Sequence, residues 1–256
     1  MGNHRRIDYE RGTVTMDKQS AIGNRTTMYQ HSIRMAGDVG FGKSSARILQ
    51  PAGSNKKLSA KGTSAHRHTF LRGAESFRGS RLYVVTLVER ESCDPACGMR
   101  GTCYGNNMPW AIRWRINDAW HTQVESEIRE LVARYDRITV RLHELGDFPS
   151  VGYVLFWRTM LGMFPTLTIY GYTHWNPSSE IGVAVYHMMA DYPTRVSILY
   201  SDAAPSEGIA VANAADVSNS HRLPVCPQQT GKASSCLACG LCTLASTIRG
   251  VHFLTH

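Results

Sequence analysis

Two kinds of hydrophobic segment are missing from this sequence of 256 residues. No apolar run reaches the roughly eighteen residues that a membrane-spanning helix needs. The opening residues 1–6, MGNHRR, also lack the apolar stretch of a secretory signal. We therefore expect neither a membrane protein nor an exported one, and we place the protein in the cytoplasm.

Disulfide pairing is also disfavoured. The chain has seven cysteines, an odd number, and a cytoplasmic chain meets a reducing environment. Clustered cysteines in that setting more often bind metal or carry out redox chemistry.

Hydrophobic residues make up 43% of the chain, which is too many for full-length disorder. The length suits one large domain, or one domain with an extension.

Acidic residues and cysteines are scarce in the first third of the chain. Residues 1–80 contain no cysteine and hold 14 Lys+Arg against 5 Asp+Glu, whereas residues 81–256 hold 14 against 15. The net charge of +8 thus divides into +9 and −1. We interpret residues 1–80 as a basic, loosely ordered extension and residues 81–256 as the folded domain. The extension could neutralise the phosphates of a nucleic acid or simply keep the protein soluble.

One phosphate-binding motif lacks the context that it requires. Residues 37–44, GDVGFGKS, fit the pattern G-x-x-x-x-G-K-[ST], in which backbone amides and the lysine hold phosphates. A working site needs a buried strand before the motif and a helix after it. Residues 32–36 are a poor buried strand, and Pro51 breaks the following helix. A nucleotide hydrolase that uses Lys43 is therefore the weakest of our hypotheses.

Apolar runs and amphipathic runs alternate along the domain. β-branched runs predict strands, and apolar positions at helical spacing predict helices. The predicted strands cover 81–88, 138–143, 167–171, 196–200, 209–211 and 251–254, and the predicted helices cover 120–135, 151–163, 177–189 and 242–248. Ser150 is a predicted helix cap. The fold class is therefore α/β, a mostly parallel βα-repeat sheet or partial barrel with a basic N-terminal extension.

Ligands of such folds bind at the carboxyl ends of the strands, where this sequence has its unusual residues. Gly146 and Asp147 follow the second strand, and Tyr172 and His174 end the third. Gly146 would let the backbone approach a ligand closely. Asp147 could bind an amine or hydroxyl group or act as a base, although a turn explains it equally well. Tyr172 and His174 could donate hydrogen bonds to a substrate, and His174 could bind metal or move protons.

The more specific metal signal lies near the end of the chain. Cys236, Cys239 and Cys242 are spaced C-x2-C-x2-C, and Cys226 stands in a Cys-Pro dipeptide. Three thiolates on a tight loop suit three corners of an iron–sulfur cubane, and ferredoxin-type runs add a cysteine followed by proline. Zinc more often takes two separated C-x2-C pairs. The spacing favours an iron–sulfur cluster, and zinc is the alternative.

A second cysteine set follows the first predicted strand. Cys93, Cys97 and Cys103 are spaced C-x3-C-x5-C. They could hold a 4Fe-4S cluster through three irons and leave the fourth iron open. This placement resembles that of radical S-adenosylmethionine enzymes, although their commonest spacing is C-x3-C-x2-C. The resemblance implies S-adenosylmethionine as a cofactor, its methionyl amine held near Gly146 and Asp147. A zinc site completed by His121 or Cys226 is the alternative.

Several motifs, in order, resemble the phage and prophage gene product 88 family. They are NKKL at 55–58, YVVTLVER at 83–90, the first cysteine set with YGNNMPWA at 104–111, RLHELGDF at 141–148, YGYT at 170–173, and CPQQTGK at 226–232 with the final cysteine triple. Residues 1–53 lie outside the resemblance, and Thr243 stands where the family leads us to expect tryptophan. The resemblance implies a phage or bacterial cytosolic setting, but it implies no reaction.

Two stronger hypotheses for the function follow from these patterns. The first is a radical-SAM-like iron–sulfur enzyme that acts on a nucleotide or nucleic acid. Its first cysteine set would hold the reactive cluster, and its second set would hold another. The second hypothesis is a non-enzymatic zinc module that binds nucleic acid or a host protein.

Overall fold

The structure is a computed structural model that describes residues 6–8, 13–15, 33–36, 47–51, 79–98, 100–101, 103–108, 111–201, 211–214, 223–233, 235–243 and 248–254. The strands are β1 Arg6–Asp8, β2 Thr13–Thr15, β3 Ile33–Met35, β4 Gln50–Pro51, β5 Arg81–Val85, β6 Arg113–Arg115, β7 Ile138–Leu142, β8 Leu167–Thr173, β9 Val196–Ser201, β10 Val211–Ala214 and β11 Gly250–Phe253. The α-helices are α1 Asp118–Arg134, α2 Val151–Met163, α3 Glu180–Asp191 and α4 Cys236–Cys239; 3-10 helices cover Tyr104–Asn107 and Leu241–Thr243.

Six parallel strands lie side by side in the order of the chain. The spatial order is β5, β7, β8, β9, β10 and β11, and the short antiparallel strand β4 flanks β5 at one edge. Right-handed crossovers place the connecting helices on one face of a sheet whose strand order does not reverse. The α/β class and the mostly parallel sheet are therefore confirmed. Two smaller pairs join β1 to β2 and β3 to β6.

One face of the sheet forms the main core with helices α1 to α3. Side chains alternate between the two faces along a strand, and Val140, Ile169 and Ile198 all enter this core with no exposed surface. Trp120 of α1 and Trp157 of α2 are also fully buried there. Each buried Val or Ile side chain stabilises the fold by about 1.5–3 kcal/mol, so this layer supplies most of the apolar burial.

Each of these three helices begins at a polar cap. The Asn117 side chain accepts a hydrogen bond from the Trp120 amide, and Ser150 accepts one from the Tyr153 amide. Ser179 caps α3 in the same way. The cap predicted at Ser150 is confirmed, and α2 has the predicted bounds. Capping satisfies an amide that would otherwise lack a partner and stabilises a helix by about 1 kcal/mol.

The other face of the sheet is covered by the cysteine-rich segment of residues 223–243. Leu82, Val84 and Tyr170 contact Cys236 and Cys242 on this face. Ser197 of β9 fixes the segment, because its hydroxyl donates a 2.6 Å hydrogen bond to the Cys242 carbonyl oxygen. The sheet is thus sandwiched between a helical layer and a layer that carries four of the seven cysteines.

Two segments of the first 80 residues pack against the domain. The Glu127 carboxylate of α1 accepts hydrogen bonds from the backbone amides of Ile48 (3.0 Å) and Leu49 (2.8 Å), whose side chains are fully buried. Strand β3 pairs with β6, and Ala36 is buried after it. Most of residues 1–80 lie outside the described residues, so a basic extension there stays a prediction.

The short elements depart most from the sequence patterns. Strands β3, β4 and β6 are not predicted, because each has only two or three residues and includes polar ones. The predicted helix at 242–248 is wrong where the structure describes it. Gly240 adopts a left-handed φ of 68° and ends α4, so a 3-10 turn follows, and residues 248–249 are not helical.

Two further predictions concern the sequence motif at 37–44 and the membrane. The phosphate-binding motif lies outside the described residues. No helix within the described part of the chain is long and apolar enough to cross a membrane.

We predict that Gly182→Ala lowers the free energy of unfolding by about 2 kcal/mol or more, measured by urea denaturation. A Cβ atom at Gly182 would lie 2.9 Å from the Cα of Pro177 and would overlap the Asn176 carbonyl. The matched control is Gly152→Ala in the first turn of α2, where the nearest atom is 3.8 Å away. Alanine there should be neutral or stabilising by up to about 1 kcal/mol. Equal effects at the two glycines would contradict the prediction.

Candidate metal centre

The loops that follow β5, β7 and β8 meet at the carboxyl edge of the sheet. These three strands are parallel neighbours, so their ends lie side by side. The first cysteine set follows β5, Gly146 and Asp147 follow β7, and His174 follows β8. Tyr172 lies within β8 and belongs instead to the pocket of the second cysteine set.

Asp147 joins the three loops through its backbone and its carboxyl group. The carboxyl oxygen atoms Oδ1 and Oδ2 accept hydrogen bonds of 2.7 Å from the amides of Phe148 and His174. The Asp147 amide donates to the Ser92 hydroxyl at 3.2 Å. Asp147 is 5% exposed, and burial raises its pKa to about 7, although both amide hydrogen bonds act in the opposite direction. Its carboxyl group therefore titrates near neutrality.

Gly146 has a left-handed φ of 86° and a crowded surrounding. A Cβ atom there would lie 2.6 Å from the Ser92 hydroxyl and 2.8 Å from the Leu87 Cβ atom. Glycine is therefore required so that the loop after β7 can pack against the loop after β5. A ligand at Gly146 stays a prediction, since the close neighbour that the structure shows is protein.

A buried ion pair closes the loop that carries the first cysteine set. Arg113 donates to the Glu89 carboxylate through Nε at 2.8 Å and Nη2 at 3.1 Å, and both side chains are at most 2% exposed. The guanidinium also donates to the carbonyl oxygens of Ala111 (2.7 Å) and Gly105 (3.1 Å). These contacts satisfy both charges away from water and fix the two ends of the loop.

The three cysteines of this loop are half-buried. Burial, with smaller effects from Asp147, Cys97 and Cys103, raises the pKa of the Cys93 thiol to about 11. A raised pKa disfavours a bare thiolate, so the site is unlike that of a cysteine nucleophile.

The four cysteines of the second set line one pocket. Ser235 caps α4, which carries Cys236 and Cys239, and Gly240 turns the chain so that Cys242 follows on the next turn. Cys226, the fourth cysteine of the set, lines the same pocket. The other lining residues are Tyr170, Tyr172, Pro227, Gln228, Leu241, Thr243 and Phe253. Burial raises the pKa of Cys242, and the other three cysteines raise it further.

Two tyrosines of β8 face this pocket. Tyr172 lines the pocket together with Cys242 and lies edge-on to Phe253 with ring centroids 5.5 Å apart. The Arg141 guanidinium carbon lies 5.7 Å from the centre of the Tyr172 ring and brings a positive charge to this face of the sheet. The Tyr170 hydroxyl is buried and has no hydrogen-bond partner among the described residues. Such a hydroxyl costs about 1–3 kcal/mol in the absence of a partner.

The seven cysteines thus fall into a group of three and a group of four, and none forms a disulfide. Within the described residues, however, no three His, Cys, Asp or Glu side chains converge as metal ligands do. The donor chemistry of the two groups fits a thiophilic metal, while its coordination geometry is not formed. His121, an alternative zinc ligand, packs against Phe156 in the helical layer with ring centroids 4.8 Å apart.

Four residues at these sites are not evident from the sequence pattern. Glu89 and Arg113 are separated by 24 positions, so no local spacing links them. Ser92 resembles any polar loop residue. Tyr170 sits in an apolar strand, and only the sheet topology shows that it faces the cysteines.

A comparison with protein families gives one match. The model of the gene product 88 family matches residues 106–201, from the end of the first cysteine loop to the end of β9. The resemblance to this family is confirmed over that segment, which includes Asp147, Tyr172 and His174 but none of the seven cysteines. No curated protein and no solved structure matches the chain.

We predict that Arg113→Met lowers the free energy of unfolding by about 3–5 kcal/mol, because it leaves the Glu89 carboxylate buried without a countercharge. The matched control is Arg115→Met, two residues further along β6. Arg115 pairs with Glu91, but the two side chains are 46% and 49% exposed, so its loss should cost less than about 1 kcal/mol. Chemical denaturation of both variants gives the comparison, and similar losses would argue against the special role of the buried pair.

We predict that the Asp147 carboxyl group makes the metal-free protein less stable as the pH rises from 4 to 7. The group has a pKa of about 7 in the folded state and an ordinary value of 3.8, so the native state binds a proton that the unfolded chain has released. The stabilisation that this bound proton gives to the folded state is complete below pH 4 and is lost as the pH rises to 7. The test is urea denaturation at several pH values, with a chelator present, of the wild type and Asp147→Asn.

The stability of the wild type relative to Asp147→Asn should fall between pH 4 and pH 7 and be constant above it. A relative stability that rises with pH would contradict the prediction. It would mean that the two amide hydrogen bonds hold Asp147 as a carboxylate.

Proposed function

We propose that this protein, which matches the gene product 88 family over residues 106–201, is a metal protein with two cysteine-ligated centres, each an iron–sulfur cluster. Cys93, Cys97 and Cys103 would hold one of them, and the group of four would hold the other. One observation carries the proposal: four cysteines from the segment 226–242 line a single pocket against the face of the sheet opposite the helices.

The chemistry of both groups suits metal ligation better than a reactive thiol. Burial raises the pKa of Cys93, Cys239 and Cys242, so these sulfurs are protonated at neutral pH without a cation. A bound metal ion reverses that balance, because its charge deprotonates a coordinating thiol. The shielded, tyrosine-lined pocket would also limit the access of water and oxygen to a cluster.

An enzymatic role of the radical-SAM-like kind has separate support. Six parallel strands follow one another in chain order, the group of three cysteines follows β5, and Asp147 follows the neighbouring β7. In that arrangement Gly146 and Asp147 would seat the amine of S-adenosylmethionine, and His174 would be available to the substrate, whereas Tyr172 lies at the other cysteine pocket. The cluster would supply the electron for reductive cleavage. The basic residues of 1–80 make a nucleotide or nucleic acid the proposed substrate class.

The alternative is a zinc module without enzymatic activity. The group of four cysteines alone supplies the ligands of a tetrahedral structural zinc site. The protein would then use its basic residues to bind a nucleic acid, or another face to bind a host protein.

We predict that anaerobically purified protein contains iron and acid-labile sulfide, measured by elemental and colorimetric analysis. Cys239→Ser should remove the metal of the group of four and leave the other centre, whereas Cys97→Ser should do the reverse. Each variant is therefore the control for the other. Colourless protein with stoichiometric zinc and no sulfide would establish the zinc module instead. Protein without any metal would refute both functions.

The enzymatic role has its own measurement. Reduced, cluster-loaded protein should cleave S-adenosylmethionine to 5′-deoxyadenosine, and Cys97→Ser should abolish this product while Cys239→Ser retains a measurable amount. A fully loaded protein that forms no 5′-deoxyadenosine would restrict the function to electron transfer or structure.

A further inference from the structure

We propose that the Tyr170 hydroxyl donates a hydrogen bond to the metal-bound sulfur of Cys236 in the group of four cysteines. The inference rests on the proposed function, since it requires a metal at that group. In this inference, Tyr170 stabilises the metal-loaded state of the pocket and affects the affinity and the reduction potential of the bound metal.

The first observation is the position of Tyr170. It lies in the middle of β8, is 2% exposed, and lines the same pocket as the four cysteines. Its ring contacts Cys236 and Cys242 in a cluster with two buried side chains of β5. Burial raises the pKa of the Tyr170 phenol, and the nearby Cys236 and Cys242 also raise it.

The second observation is the state of its oxygen atom. The Tyr170 hydroxyl has no hydrogen-bond partner among the described residues, although buried tyrosine hydroxyls normally find one. The pocket therefore presents to the cysteines a buried phenol that lacks an acceptor within the described part of the chain.

The identity of the absent acceptor follows from sulfur chemistry. A protonated thiol is a weak acceptor, whereas a thiolate carries a charge and accepts strongly. A metal keeps Cys236 deprotonated at neutral pH, so the acceptor that Tyr170 lacks exists once the metal is bound. Hydrogen bonds from outside the ligand set commonly change metal affinity 10–100-fold and make a cluster easier to reduce.

The test compares Tyr170→Phe with wild type in the metal-free and metal-loaded forms. Phenylalanine keeps the ring and removes only the hydroxyl. The metal-free variant should unfold at the same temperature as wild type or higher, because it loses only an unpaired buried group. The affinity of the group of four for the metal should fall about 10-fold. If an iron–sulfur cluster is present, its reduction potential should become more negative.

The matched control is Tyr200→Phe in the adjacent strand β9. The Tyr200 hydroxyl donates to the Gly182 carbonyl oxygen at 2.8 Å on the helical face. This variant should lower the unfolding temperature of both forms while leaving metal affinity within about twofold of wild type.

The possible outcomes separate this inference from the proposed function. A wild type that binds no metal at the group of four overturns both. A wild type that binds metal, with Tyr170→Phe equal to it in affinity and potential, overturns the inference alone. A metal-free Tyr170→Phe that unfolds at a clearly lower temperature also overturns it, since the hydroxyl would then serve the fold without a metal.

Discussion

The ion pair between Glu89 and Arg113 determines where the first cysteine group lies. Glu89 stands just after β5, and Arg113 begins β6, so their contact closes the intervening loop into a ring. Backbone hydrogen bonds continue the closure, because Trp114 donates to Thr86 and Val88 donates to Trp114. β6 in turn pairs with β3. The buried charge pair thus joins Glu89, three residues before the Ser92 that contacts Asp147, to the strand β6 that holds an early segment of the chain.

The order of the strands explains why one face of the sheet is available to cysteines. A doubly wound sheet reverses its strand order and carries helices on both faces. Here the parallel strands follow the chain without a reversal, so α1 to α3 lie on one face. The opposite face needs another cover, which residues 223–243 supply. The apolar side chains that β5 and β8 present on this face therefore pack directly against the segment that carries the four cysteines.

The repeating part of the fold could be predicted from the sequence, and the sites could be predicted only in part. Periodicity identified β5, β7, β8 and β9 and the helices α1 to α3, including the cap at Ser150, because each of these elements buries a regular stripe. It did not show that Cys236 would fold back onto Tyr170, because the segment 223–243 has no long periodic element. Nor could it pair Glu89 with Arg113, since a buried ion pair between distant residues leaves no local pattern.

The antiparallel pairing of β4 with β5 has a topological consequence for the basic residues. Gln50 and Pro51 lie beside Val84 and Tyr83, so the strands that precede and follow residues 52–80 are neighbours at one edge of the sheet. That segment holds six Lys and Arg residues and one acidic residue. The described residues on both sides of it are held in the sheet, at β4 and at β5, so this positive charge is joined to the sheet at two points of the chain.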